Sequence, residues 1–230
     1  MFDGIAARYD LLNHLLSAGI DRRWRSRAIR ALELTGCETV LDVCTGTADL
    51  AIAAADARVG AQRVIGVDFA AEMLRVALAK LRRRQAGTPI ALVRGDATRI
   101  PVADASVNAV TIGFGIRNVE DTRAACRELS RVLAADGRLA ILEFAIPTAP
   151  VIRPLYLWYF RRVLPLIGRA ISRDRGAYGY LPASVGTFST PDEFVTILRQ
   201  SGFAHVAAVP LTFGIVFLYT ARRSGAGLQG

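Results

Sequence analysis

The chain has 230 residues, of which 52% are hydrophobic and 21% charged. That composition excludes disorder over most of its length, and the length fits one α/β domain of about 200–250 residues. The net charge of +9 is carried almost wholly by arginine, Lys80 being the only lysine. It suits nucleic acid or an anionic membrane, and it equally fits solvated faces.

The cysteines Cys37, Cys44 and Cys126 have neither metal-ligand nor redox spacing, and His14 and His205 are the only histidines. No metal site is therefore expected. Asp3, Arg8 and Asp10 argue against a signal peptide, and no uncharged apolar run approaches the ~20 residues of a membrane span. These features predict a reduced, soluble, cytoplasmic protein.

Residues 1–35 are expected to form a helical lead-in. Short runs rich in Val and Ile predict strands over 39–43, 64–68, 90–94, 109–112, 139–144, 206–211 and 215–221. Amphipathic stretches predict helices over 49–57, 71–84 and 122–133, with a last helix over 191–201. Strands alternating with helices imply a mostly parallel, doubly wound sheet. Only Thr212, Phe213 and Gly214 join the last two strands, too few for a parallel crossover, so that pair is expected to be an antiparallel hairpin. The expected organisation is one domain over 1–222 with an insert at 147–190, and a flexible tail at 223–230.

Ligands of open α/β sheets lie beyond the carboxyl ends of the strands. The first strand runs into Asp42-Val43-Cys44-Thr45-Gly46-Thr47-Ala48-Asp49, a tight turn where Gly46 lets a ligand approach the backbone. The second strand ends in Asp68, placed to accept both hydroxyls of a ribose. This pair fits a dinucleotide or S-adenosylmethionine. A pyrophosphate usually needs G-x-G-x-x-G, whereas this turn holds only Gly46, which favours S-adenosylmethionine. Gly95-Asp96-Ala97 follows the third strand and suits a polar contact to adenine. The fourth strand leads to Gly113-Phe114-Gly115-Ile116-Arg117-Asn118. Two bland readings stand beside these: Asp68 capping the next helix, and Asp42 hydrogen-bonding the turn.

Several blocks together resemble the ubiquinone/menaquinone biosynthesis C-methyltransferase family. They are Phe2-Asp3-Gly4-Ile5-Ala6, Tyr9-Asp10 through Asn13 and Ser17 to Asp21 and Trp24-Arg25, and Arg131-Val132-Leu133 through Gly137-Arg138-Leu139 to Glu143-Phe144. Phe114-Gly115-Ile116-Arg117-Asn118, Tyr178-Gly179-Tyr180-Leu181-Pro182 with Ser184-Val185, and Thr212-Phe213-Gly214-Ile215-Val216 complete the set. The chain departs from the family pattern at Leu12, Asp21, Ala134, Ala135, Asp136 and Ala145, and Gly113 replaces a serine that commonly contacts the cofactor. The resemblance covers nearly all of 1–222. It implies a Rossmann-like class I S-adenosylmethionine-dependent methyltransferase with a seven-stranded, mostly parallel sheet. Thr47, Asp68, Asp96 and Ala97 carry over as cofactor contacts, beside Gly46 and Gly113 at the turns. The implied reaction is C-methylation of a lipid quinol ring, demethylmenaquinol to menaquinol or the matching benzoquinol step toward ubiquinone. The turn sequence leans toward menaquinone.

Methylating a ring carbon ortho to a hydroxyl develops phenolate charge, and a fixed guanidinium suits that task. Arg117 is the catalytic candidate; its alternative is a salt bridge that orders the loop. His14 has a suitable intrinsic pKa range but reads more simply as structural. In the insert, Tyr156, Phe160 and Val163 share one helical face among arginines. That segment suits an apolar cap or peripheral lipid contact, or ordinary core packing. An amino-methylating nucleic-acid enzyme lacks its Asn/Asp-Pro-Pro-Tyr-like loop here, and a cytosine C5 enzyme lacks its Pro-Cys, so no nucleic-acid partner is expected. A non-catalytic dinucleotide-binding module lacks its glycine fingerprint. The oligomeric state is left open.

Overall fold

The computed structural model describes residues 17, 19–84, 87–159, 162 and 185–225. His14, Phe160, Val163 and the blocks at 2–13 and 178–184 lie outside them. The elements in order are α1 (Asp21–Ala31), β1 (Thr39–Val43), α2 (Asp49–Ala55), β2 (Arg63–Asp68), α3 (Ala71–Arg82), β3 (Ile90–Arg94), β4 (Val107–Gly113), α4 (Thr122–Val132), β5 (Leu133–Phe144), α5 (Ile152–Trp158), α6 (Pro191–Gln200), β6 (Phe203–Leu211) and β7 (Val216–Arg223).

The seven strands form one sheet in the order β3-β2-β1-β4-β5-β7-β6. The first five are parallel, and β7 runs antiparallel to both β5 and β6. The expected hairpin is present, turned by a 3-10 bend at Thr212–Gly214. One strand differs from the sequence reading: β5 begins at Leu133 rather than Leu139. Leu133 already pairs with Val107, and a register shift separates that pair from the regular ladder starting at Ala109–Arg138. Asp136 takes a left-handed φ of 58° in the intervening stretch. The polar Ala134-Ala135-Asp136-Gly137 run hides this bulged extension from a hydrophobic pattern.

Local chemistry sets the helix ends. Thr190 and Glu193 form a reciprocal capping box at α6, with Pro191 at its first turn. Asp121 caps α4 by accepting from the Ala124 N–H at 2.8 Å. In the insert, the described residues form a helix over Ile152–Trp158 that carries Tyr156.

Two apolar layers cover the sheet. On one face Ala125, Leu129, Phe194 and Leu198 pack over Leu41, Val43 and Ile112. On the other, Trp24, Ala28, Leu50, Ala54 and Ala77 pack over Val40, Ala109 and Leu142. Each fully buried aliphatic side chain of this kind contributes roughly 1.5–3 kcal/mol. Ion pairs tie three helices of the second face: Arg25 reaches Asp21 at 2.7 Å and Asp49 at 3.1 Å, and Lys80 reaches Asp49 at 2.5 Å. Among the described residues, no helix is long and apolar enough to cross a membrane.

Candidate active site

Strand order reverses between β1 and β4, and the chain leaves a crevice beyond their carboxyl ends. A cavity of about 710 Å³ occupies it, a size that suits a small-molecule ligand. Every parallel strand from β1 to β4 contributes. The wall includes Cys44 and Gly46 after β1, Asp68 to Ala70 after β2, Gly95 to Thr98 after β3, and Gly113 to Gly115 after β4.

The turn after β1 is held by side chains from within the sheet. Asp42 is buried and accepts from Thr45 Oγ1 at 2.6 Å and Thr111 Oγ1 at 2.7 Å. Burial pushes its carboxyl up to about 6, although both hydroxyls favour the ionised form. Asp42 thus takes the structural role of the two considered, and it is absent from the cavity wall. Cys44, Gly46 and Ala48 have φ values of 53°, 55° and 68°. Phe114, on the opposite turn, has 60°. Left-handed backbone at non-glycine residues is costly and gathers at functional sites.

Asp68 joins the two halves of the site. Its Oδ2 accepts from the Gly46 N–H at 2.7 Å and its Oδ1 from the Ala70 N–H at 2.9 Å. These bonds orient the Asp68 carboxylate at the cavity wall. Asp96 is held in the same way, its Oδ1 accepting from the Thr98 N–H and Oγ1 at 2.8 Å. Glu120 and Asp121 also line the cavity, and among the described residues no arginine or lysine does. The field in the cavity is therefore negative. Burial, and after it the nearby carboxylates of Asp68, Asp42, Glu143 and Asp96, push the Cys44 thiol up.

Gly46, Asp68, Asp96, Ala97 and Gly113 all lie in this wall, as the sequence places them. Gly113 is the serine-replacing position, and a Cβ there would stand 3.2 Å from Leu50 Cδ2. Thr47 is not among the lining residues. It is buried, and its Oγ1 accepts from Lys80 Nζ at 3.2 Å.

Arg117 is also outside the wall. Its guanidinium is only 5% exposed and pairs at 2.5 Å with Glu143, which is fully buried. The same Nη1 donates to the Phe114 carbonyl at 2.5 Å, and the group lies over the Phe144 ring. Glu143 further accepts from the Arg117 N–H and the Phe144 N–H. These contacts tie the turn that carries Phe114 and Asn118 to the end of β5.

Sequence reasoning missed the apolar wall of Phe69, Met73, Phe114 and Val119 and the polar Asn118 and Asp121. Phe69 is exposed, with Arg94 stacked on it at 5.8 Å. Its place directly after Asp68 is the only sequence signal for it. Among the described residues, no group of His, Cys, Asp and Glu is placed to hold a metal ion.

Comparison with known proteins agrees with this architecture. The chain is 48% identical over 227 residues to the ubiquinone/menaquinone biosynthesis C-methyltransferase UbiE of Syntrophotalea carbinolica, covering 99% of this chain and 94% of that protein. It is 43% identical to the demethylmenaquinone methyltransferase of Thermus thermophilus, covering 97% and 100%. A putative S-adenosyl-L-methionine-dependent methyltransferase from Methanococcus maripaludis superposes with a TM-score of 0.69 at 18% identity, over 98% of this chain and 95% of that one, which supports the fold. The model of the ubiE/COQ5 methyltransferase family matches residues 1–223, and the chain belongs to that family.

Proposed function

We propose that this methyltransferase binds S-adenosylmethionine in the acidic cavity and transfers its methyl group to a ring carbon of a lipid quinol. The observation that carries the donor is the wall itself: Asp68, Asp96, Glu120 and Asp121 gathered around one cavity. Such a wall suits a sulfonium and an ammonium and repels the pyrophosphate of a dinucleotide. The donor supplies an already electrophilic methyl carbon. Asp68 accepts the ribose hydroxyls, Asp96 and Ala97 meet the adenine, and Gly46 and Gly113 let the ligand approach the backbone. Arg117 acts on the reaction by holding the Phe114–Asn118 turn against Glu143.

The acceptor is demethylmenaquinol, converted to menaquinol. The relative from Thermus thermophilus is named for that substrate. The second reading is the benzoquinol step toward ubiquinone, because the relative from Syntrophotalea carbinolica is named for both quinones. The protein works as one domain over 1–222, with the 147–190 insert capping the acceptor. It acts in the cytoplasm at the inner face of the membrane that holds the quinol.

Calorimetry and product mass test the proposal together. Asp68→Ala should weaken S-adenosylmethionine binding about 10- to 150-fold, the loss of a hydrogen bond to a charged group. Wild-type protein given demethylmenaquinol and the donor should yield a product heavier by one methyl group. Undiminished donor affinity in folded Asp68→Ala protein would remove Asp68 from the site. Donor binding with no methylated quinone would reject the acceptor.

A further inference from the structure

We propose that a basic face with an aromatic tip, formed by α1 and the β6–β7 turn, docks the protein on an anionic lipid bilayer. The inference takes its purpose from the lipid-acceptor reading, but its evidence lies outside the cavity. Arg22, Arg23, Arg27 and Arg30 are exposed on α1. The only acid of that helix, Asp21, is buried and paired with Arg25. These four arginines line a groove of about 590 Å³ whose other wall is the β6–β7 turn. Trp24 joins the walls, its Nε1 donating to Thr212 Oγ1 at 2.8 Å.

Phe213 stands at the tip of that turn, 76% exposed with a left-handed φ of 58°. A bulky residue gains nothing from that conformation in water. Insertion into a lipid interface gives the ring a favourable environment. The apolar surface continues nearby. Ile215, two residues on, packs against Tyr156 of α5, and α5 exposes Leu155 and Trp158. Arginines beside exposed aromatic and aliphatic side chains are the composition of an interfacial anchor.

The position is consistent with delivery of a lipid substrate. Val216 pairs with Phe144 at the carboxyl end of β5. The turn at 212–214 therefore projects from the sheet edge at which the methyl-donor cavity opens. Docking there faces that edge toward the bilayer.

Flotation with vesicles of phosphatidylcholine, alone or mixed with phosphatidylglycerol, tests the proposal on the full chain. Wild type should bind only the mixed vesicles and release as salt rises. The triple variant Arg22→Gln, Arg23→Gln, Arg27→Gln should bind at least roughly tenfold more weakly. Phe213→Ser should weaken binding while leaving its salt dependence intact. Removing three arginines outside this groove (Arg63→Gln, Arg75→Gln, Arg82→Gln) should change little. Equal loss in that control would reduce the effect to net charge and overturn the proposal. So would wild-type protein that ignores phosphatidylglycerol, or one whose α1 arginines bind an oligonucleotide in preference to vesicles. Turnover of a short-tailed, water-soluble quinol separates the two readings. It should be normal in the triple variant, and its absence in wild type would strike the acceptor while leaving vesicle binding standing.

Discussion

Arg117 and Glu143 share a site from which water is nearly absent. Removing one partner of such a pair strands the other charge, at a cost of about 3–5 kcal/mol. Arg117→Ala should therefore lower the melting temperature, and donor affinity should fall with it, because Phe114 and Asn118 line the donor cavity. Combining Arg117→Met with Glu143→Gln should recover part of the stability, since neither charge is left buried alone and the amide oxygen still accepts from one of the two N–H groups that the carboxylate binds. A guanidinium that contacts the reacting quinol predicts a different pattern. Turnover would then collapse roughly a hundredfold with stability and donor affinity unchanged, and the double variant would remain inactive. Unfolding, donor calorimetry and rate on the same proteins decide between positioning and contact. The sequence could place Arg117 after the fourth strand but could not pair it. Its partner lies 26 residues away on β5, and a charge at the end of an apolar strand has no periodicity to mark its neighbour.

Elements rather than residues were the legible layer. Alternating apolar runs gave nearly every strand boundary to within about three residues, because a parallel strand covered on both faces must be continuously apolar. β5 is the exception, a polar bulge separating Leu133 from the regular ladder that starts at Arg138. The two turns that build the cavity were legible as glycine-bearing segments, but not their contact. A Cβ on Gly115 would stand 2.4 Å from Cys44 Cβ, so the turn after β4 packs directly on the turn after β1. Gly115→Ala must push these turns apart, and such overpacking costs about 1–3 kcal/mol. It should also weaken donor binding, since both turns line the cavity. Cys44 has a φ of 53°, a conformation glycine adopts freely. Cys44→Gly removes the clashing Cβ and relieves that backbone, so it should suppress Gly115→Ala in stability and donor affinity alike. Wild-type melting and binding in Gly115→Ala alone would show that the turns are not in rigid contact.

At the scale of the whole molecule, the methyltransferase concentrates opposite charges at different places. A chain of net charge +9 surrounds an acidic cavity, where Asp68 and Asp96 accept from backbone N–H groups and a hydroxyl. Two buried carboxyls then give stability opposite pH slopes. Burial works against Glu38, but it is overcome by the Thr35 N–H and Oγ1 and by Arg138, which hold the carboxyl at about 2 against an ordinary 4.5. Its contribution is complete above pH 4.5 and is lost as pH falls toward 2. Asp42 behaves in reverse. Its folded value of about 6 exceeds the ordinary 3.8, so between these values the folded state holds a proton that the unfolded chain has released. Stability from Asp42 therefore rises as pH falls from 7 through 6 toward 4, by roughly 2–3 kcal/mol. Asp42→Asn removes that titration and keeps a polar partner for Thr45 and Thr111. Urea unfolding of both proteins at pH 7 and pH 4.5 isolates the effect, because Glu38 and every other group cancel in the difference. Wild type should gain on the variant at the lower pH by about 2 kcal/mol. A difference that stays constant between the two pH values would mean that Asp42 remains ionised in the folded protein, its charge fully carried by the two threonine hydroxyls.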